Sequence, residues 1–147
     1  MGAAYARAML LRPLLLATLA PLTLLVAPPA SAKPFEHCQR GSPADCVVDG
    51  DTLWLSGQKI RIADIDTPET HQPRCAAERE QGERATRRLL ALLNAGAFSL
   101  HPIDREKDRY GRTLRVVSRD GRSIGATLVA EGLARPWTGS RQPWCRS

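Results

Sequence analysis

The acids Asp49, Asp51, Asp64, Asp66 and Glu69 lie close together in the chain. In a regular strand Val47, Asp49, Asp51, Leu53 and Leu55 would share one face. A carboxylate on an apolar face is costly unless something compensates it. A divalent cation would do so, and carboxylate oxygens suit Ca2+ or Mg2+. The alternative is that Asp49-Gly50 makes a tight turn and leaves Asp51 facing water. Asp66-Thr67-Pro68-Glu69 sits just past a strand end, a common place for function, although Asp and Thr before Pro also make ordinary turns. A second polar cluster is Asp108-Arg109-Tyr110-Gly111-Arg112. Arginine offers a planar fork of donors matched to phosphate oxygens. Arg109, Tyr110 and Arg112 together could bind a phosphate and stack on a base. The alternative there is a solvated charged loop from Asp104 to Arg112. His37, His71 and His101 are isolated and read as surface or packing residues. Trp54, Trp137 and Trp144 read as core or rim.

These residues must be positioned by the elements around them. Lys33 to Asp45 is rich in Pro, Gly and Ser and reads as an irregular lead-in. Cys46 to Leu55 reads as one strand, Ser56-Gly57-Gln58 as a turn, and Lys59 to Ile65 as a second strand. Arg61 lies inside that second strand, where it either faces a polar site or is the outward residue of a half-buried strand, the second being the usual reading. Arg61 and Asp66 are an odd number of positions apart, so a flat strand would set them on opposite faces. They share a site only if the strand bends or ends before Asp66. Glu78 to Leu93 is an amphipathic helix, with Ala85, Leu89, Leu92 and Leu93 on one face. Glu80–Arg84 and Glu83–Arg87 are i,i+4 pairs on the other face, and Asn94-Ala95-Gly96 supplies the stop. Phe98 to Ile103 and Leu114 to Val117 are strands, Asp120-Gly121 marks a hairpin, and Ser123 to Glu131 is a short helix stopped by Gly132. The expected fold is mainly β with α (α+β). It is a five-stranded Greek-key barrel of the OB type with one central amphipathic helix and a short second helix.

The chain has 147 residues, a formal charge of +6, 43% hydrophobic and 24% charged residues. That is one domain's worth, and the balance argues against wholesale disorder. Residues 1–32 stand apart. Arg7 and Arg12 precede an apolar stretch from Leu14 to Ala27, broken by Pro21, which ends in Pro28-Pro29-Ala30-Ser31-Ala32. A basic start, a short apolar centre and an Ala-x-Ala end describe a secretory signal peptide cleaved after about Ala32. The stretch is shorter than the ~20 residues of a spanning helix. The mature chain would then have 115 residues, with 19 basic and 15 acidic side chains for a charge of +4. It would be secreted or periplasmic, with no membrane contact. Lead-in residues 33–45 would precede a single domain over residues 46–147.

All four cysteines, Cys38, Cys46, Cys75 and Cys145, fall in the mature part. An even count in an exported protein favours two disulfides, with three pairings open. No Cys-x-x-Cys spacing speaks for zinc. The expected pairs are the local Cys38–Cys46 and the long-range Cys75–Cys145, whose larger loop constrains the unfolded chain more strongly.

The clusters occur in a fixed order: Val47-Val48-Asp49-Gly50-Asp51-Thr52, Ile60-Arg61-Ile62, Asp66-Thr67-Pro68-Glu69, Asp108-Arg109-Tyr110-Gly111-Arg112, then Leu128-Val129 to Gly132-Leu133-Ala134. Taken together they resemble the staphylococcal-nuclease-like (thermonuclease) family over roughly residues 46 to 137. The resemblance implies a Ca2+-dependent nuclease acting on DNA and RNA, with 5′-side P–O cleavage that leaves 3′-phosphates. It implies Asp51 and Asp66 as calcium ligands, with the Thr67 backbone carbonyl beside them. Glu69 would orient or deprotonate the attacking water. Arg61 and Arg112 would hold the scissile phosphate, and Arg109 and Tyr110 would lie beside another phosphate of the nucleotide. A monomer is expected. Two departures stand out. Thr138 to Ser147 is too short for the long C-terminal helix common in that family, a loss the disulfides would offset. The family's C-terminal aromatics have only Trp137 as a counterpart.

Two rival readings differ in class. A non-catalytic OB-type module would bind nucleic acid through a basic groove and aromatic platforms, yet it gains nothing from carboxylates that face phosphates. Its binding would survive EDTA, whereas a calcium-dependent nuclease would stop. A disulfide-stapled extracellular protein with a structural Ca2+ would not bind DNA at all.

Overall fold

The computed structural model describes residues 33–40 and 45–145. The expected signal peptide lies outside them. Among the described residues nine strands and two helices follow in order: β1 Glu36–His37, β2 Cys46–Asp49, β3 Thr52–Leu55, β4 Gln58–Ile62, β5 Ile65–Asp66, α1 Ala76–Asn94, β6 Ser99–Lys107, β7 Thr113–Arg119, β8 Arg122–Ser123, α2 Ile124–Ala130 and β9 Arg135–Pro136. The fold is α+β, a mixed sheet with two helices, as expected. The expected count of five strands matches only the strands of four or more residues, β2, β3, β4, β6 and β7. The other four are two-residue pairings too short to leave a periodic signal in sequence.

The main sheet runs β1-β2-β3-β4-β7-β6, with β8 paired to β7, and β5 pairs separately with β9. β4 lies between antiparallel β3 and parallel β7, with Arg61 opposite Thr52 on one side and Leu114 on the other. Ile60, Arg61 and Ile62 are all buried. Ile60 and Ile62 join the apolar core, so alternation sends Arg61 to the other face. Of the two positions open to Arg61 the outward, solvent-facing one does not hold, because β4 is an interior strand buried on both faces.

Three boundaries differ from those read in the sequence. The stretch Cys46 to Leu55 is two strands, not one. The register shifts between Val47 and Asp49, and Gly50-Asp51 turns the chain so that Asp49 pairs with Thr52. The strand beginning near Lys59 ends at Ile62, and Ala63-Asp64 turns the chain into β5. The irregular lead-in contains β1, paired in parallel with β2. Phe35 docks there, with its N–H donating to Asn94 Oδ1 at 2.7 Å, its carbonyl accepting from Asn94 Nδ2 at 2.9 Å, and its ring 5.8 Å from Phe98. In addition, Asp104 to Lys107 continues strand β6 instead of forming a loop.

α1 buries Gly82, Ala85, Thr86, Leu89 and Leu93 at helical spacing. Ala85, Leu89 and Leu93 meet Val47, Leu53, Ile60, Ile62, Ile65, Val117, Ile124 and Leu128 in one core. Each fully buried Leu or Ile there is worth about 1.5–3 kcal/mol over its exposed state. Cys75 is the N-cap, its Sγ accepting from Glu78 N. Ser123 caps α2 by accepting from Ala126 N at 3.0 Å, and its hydroxyl donates to Asp64 Oδ2 at 2.6 Å. An Arg88–Glu131 pair, two hydrogen bonds of 2.8 and 2.6 Å, ties α1 to the end of α2. The disulfides are Cys38–Cys46 and Cys75–Cys145, the pairs expected.

α1 also passes unusually close to the loop that carries Glu69. A Cβ built on Gly82 would lie 2.7 Å from the Pro68 carbonyl oxygen and 3.1 Å from that of Glu69. An interior helical Gly→Ala change ordinarily stabilises by about 0.5–1 kcal/mol. Here the collision with backbone reverses the sign, and Gly82→Ala should destabilise by about 1–3 kcal/mol. Urea unfolding measures it, and a raised midpoint would show that the loop does not rest on the helix.

Candidate active site

The three stretches of chain that carry the acids meet because of the turns just described. Gly50 lets the β2–β3 turn press against α1, since a Cβ there would lie 2.7 Å from Ala85 Cβ and 3.0 Å from Thr67 Cβ. Asp51 is therefore in a turn, as one reading of the sequence allowed, but it does not face water. It is 2% exposed, with Arg61 at 5% and Asp66 at 3%. Ending β4 at Ile62 removes the parity conflict between Arg61 and Asp66. The Arg61 guanidinium Nη2 lies 3.4 Å from Asp51 Oδ2 and 3.7 Å from Asp66 Oδ1. Its Nη1 donates to its neighbour's carbonyl, Ile62 O, at 3.1 Å, and the Trp137 ring lies 4.8 Å from it.

A relay of side chains continues outward. Thr52 Oγ1 donates to Asp51 Oδ1 at 2.8 Å and accepts from Arg112 Nη1 at 3.3 Å. Arg112 is oriented from behind by Asp108, whose Oδ2 accepts from Arg112 Nε at 2.7 Å and whose Oδ1 accepts from Arg112 N at 2.9 Å. Burial works against the Asp108 charge, but the hydrogen bonds and charge of Arg112 hold its carboxyl below the usual range. Tyr110 is 69% exposed, with the guanidinium groups of Arg109 and Arg112 4.7 and 5.6 Å from its ring. The charged-loop alternative thus describes Arg109 and Tyr110 better than Arg112.

Glu69 is about one-third exposed. Its loop is anchored on the buried carboxylate of Glu78, which accepts from Glu69 N at 3.5 Å and from Arg74 N at 2.6 Å. Thr67 is 2% exposed between the two carboxylate stretches. Cys75, Glu78 and Cys145 bring metal-type donor atoms together, but both sulfurs are committed to a disulfide.

The sequence reading missed two contributors. Arg141 places Nε 3.1 Å from Asp66 Oδ1 and Nη2 3.9 Å from Asp51 Oδ2, and its Nη1 contacts Glu69 Oε1. Trp144 Nε1 donates to Asp66 Oδ2 at 3.2 Å. The signal available was the tail cysteine, whose partner Cys75 lies just past Glu69.

Charge at the floor of the site is incompletely balanced. Asp51 Oδ2 and Asp66 Oδ1 are buried and accept no hydrogen bond, although guanidinium nitrogens lie near both. Burial pushes the Asp66 carboxyl above its usual range, against the pull of Arg141 and Trp144. Burial, with the Asp51 charge beside it, pushes Asp49 up to about 7. Next to these acids, across Arg61 and Arg141, opens a cleft of about 980 Å³, lined by Lys59, Arg61, Arg105, Arg109, Arg112 and Arg141 with only Glu69 and Asp108 as acids.

The family model described as staphylococcal nuclease homologue matches residues 59–143, more than half of the chain. This chain belongs to that family. Among its curated relatives, the endonuclease YncB of Bacillus subtilis (strain 168) is 40% identical over 97 residues, 62% of this chain and 45% of the relative. The SPbeta prophage-derived endonuclease YokF of the same organism is also 40% identical over 97 residues, 62% of this chain and 32% of the relative. The thermonuclease of Staphylococcus hyicus is 36% identical over 93 residues, 60% of this chain and 54% of the relative. The chain therefore spans a third to about half of the length of these relatives. Within this nuclease family the matched region holds Arg61, Asp66, Thr67, Glu69, Arg109, Tyr110, Arg112 and Arg141, whereas Asp51 and Thr52 lie just ahead of it.

The unbalanced floor predicts a stability cost. With cations removed by EDTA, Asp51→Asn should stabilise the fold by about 1–3 kcal/mol, the scale of relieving one unsatisfied buried group. Unfolding midpoints in EDTA measure it. A loss of stability would mean that the arginines already compensate the carboxylate fully.

Proposed function

We propose that this chain is an exported, calcium-dependent nuclease that hydrolyses phosphodiester bonds of DNA and RNA, cleaving the 5′-side P–O bond and leaving 3′-phosphates. The observation that carries this reading is the pair of buried oxygens without hydrogen-bond donors, Asp51 Oδ2 and Asp66 Oδ1, beside Arg61 and Arg141, two of the residues that line a basic cleft. Carboxylate and carbonyl oxygens are the donors a hard cation takes, so the residues present fit Ca2+. Asp51 and Asp66 would hold it, with the backbone carbonyl of Thr67 as a third donor. A bound cation supplies charge neutralisation on the phosphate and a lowered pKa for a bound water.

The remaining chemistry belongs to side chains of this chain. Glu69, about one-third exposed at the cleft edge, orients the attacking water and accepts its proton. The water oxygen bonds to phosphorus as the bond from phosphorus to the 5′-oxygen breaks, and the leaving oxygen takes up a proton. Arg61 and Arg112 hold the phosphoryl oxygens on which negative charge grows. Both are oriented before substrate arrives, Arg61 by burial and Ile62 O, and Arg112 by Asp108 and Thr52, so little reorganisation is needed. Arg109 and Tyr110, exposed on the cleft wall, contact a neighbouring phosphate of the strand. The basic cleft favours a polyanion, and affinity should fall as salt rises.

The two disulfides, and the secretory leader expected from the sequence of residues 1–32, support an oxidising compartment, the periplasm or the medium. No helix among the described residues is long and apolar enough to cross a membrane. The mature protein would work as a monomer free of membrane.

Arg61→Ala, Glu69→Ala and Arg112→Ala should each lower turnover on single-stranded DNA by about 10²–10³, with far-UV circular dichroism unchanged. EDTA should stop the wild-type reaction. Undiminished cleavage in the folded variants would refute the assignment, and DNA binding that survives EDTA without any cleavage would favour a binding module.

A further inference from the structure

The chain after β9 crosses the edge of the cleft as a strap. Trp137 N donates to Asp64 O at 2.9 Å where the strap begins. At its far end Cys145 is bonded to Cys75, ahead of α1. Between these points Arg135 supports it, donating from Nη1 to Pro143 O at 3.0 Å with its guanidinium 3.8 Å from the Trp144 ring. These anchors direct Arg141 inward onto Asp51, Asp66 and Glu69. The two oxygens nearest its Nη2 and Nε, Asp51 Oδ2 and Asp66 Oδ1, are both among the buried oxygens that accept no hydrogen bond. Arg141 thus occupies the carboxylate pocket as a counter-ion without being built into it by hydrogen bonds to those atoms.

The two arginines on this pocket differ in kind. The Arg61 side chain is 6% exposed and lies on an interior strand, whereas that of Arg141 is 37% exposed on an irregular segment. Gly139, two residues ahead of Arg141, has φ 93°, a conformation open to glycine and strained for other residues. Arg141 can therefore leave while Arg61 stays.

Resting on the calcium reading above, we propose that Arg141 is a latch. Carried on a disulfide-tethered strap, it competes with the divalent cation for Asp51, Asp66 and Glu69. A guanidinium and a dication drawn to the same oxygens repel each other, so each weakens the other by the same factor. The Cys75–Cys145 bond keeps Arg141 at high effective concentration over the pocket. Loading the cation would displace Arg141, and that displacement also frees the Glu69 carboxylate. The latch keeps the acids partly neutralised until a cation arrives, at the expense of cation affinity.

The test is calorimetric titration of calcium chloride into the oxidised, metal-free protein. Arg141→Gln should bind calcium about fivefold or more tightly than wild type, the lower edge of a typical coupling. Cys75→Ser/Cys145→Ser should tighten binding in the same direction, and adding Arg141→Gln to it should bring little further gain. If the cysteine variant does not fold by circular dichroism, Arg141→Gln alone decides. Calcium binding by wild type with equal or weaker binding by Arg141→Gln would overturn the latch and leave the calcium reading standing. Calcium binding by neither protein would overturn both.

Discussion

The burial of Asp51 and Asp66 against a single buried guanidinium is the constraint on which the rest of the molecule depends. Two carboxylates brought together out of water repel each other and lose hydration. Arg61 reaches both, but at 3.4 and 3.7 Å, and it forms no hydrogen bond to Asp51 Oδ2 or Asp66 Oδ1. An arrangement so poorly compensated persists only if the surrounding structure enforces it. The enforcement is visible on each side. β4 is held between β3 and β7, and the turn that carries Asp51 is pressed on α1 through a glycine. Asp66 is paired through β5 to β9 at Arg135.

The same logic governs the loop with Glu69. It has no regular structure of its own, so its place must come from contacts. The Glu78 carboxylate inside the first turn of α1 receives two of its backbone amides, and Gly82 lets the helix approach the Pro68 carbonyl. Cys75 then caps the helix and binds the strap. One helix start therefore positions both Glu69 and the tail that carries Arg141. The neighbourhood of the site is organised around α1 as much as around the sheet.

Most of this was readable in the sequence wherever local pattern and local structure agree. The 3.6-residue spacing of Ala85, Leu89 and Leu93 marks α1, and Asp120-Gly121 marks a turn whose φ values of 49° and 74° are those of a tight hairpin. The candidate site residues were also legible as types in order. What stayed hidden was non-local. The Cys46 to Leu55 stretch reads as one strand because its residues all favour β structure, and only the pairing of Asp49 with Thr52 divides it. Arg61 usually reads as outward-facing because nothing in KIRIADI says that Asp51, Asp66 and Trp137 will close over it. Arg141 carried no periodic signal at all. Its position is set by a disulfide of 70-residue separation and by Trp144 reaching Asp66, 78 residues away.

The distribution of charge in the cleft explains why acids and bases can share it. Acid alone at the floor would repel a polyanion, and base alone would bind it without any means of activating water. Here the acids lie deep or at one edge, while Lys59, Arg105, Arg109 and Arg112 line the approach. Long-range attraction is set by the sum of charges over the cleft, whereas short-range chemistry is set by the few groups in contact. On the proposed reading Arg61 and Arg112 belong to both levels, because each is oriented before any substrate is present, Arg61 by burial and the Ile62 carbonyl and Arg112 by Asp108. That orientation holds both side chains in place on the cleft they line. A site of this design needs its arginines ordered more than it needs them numerous, which is why a chain with a modest net charge of +6 suffices to build it.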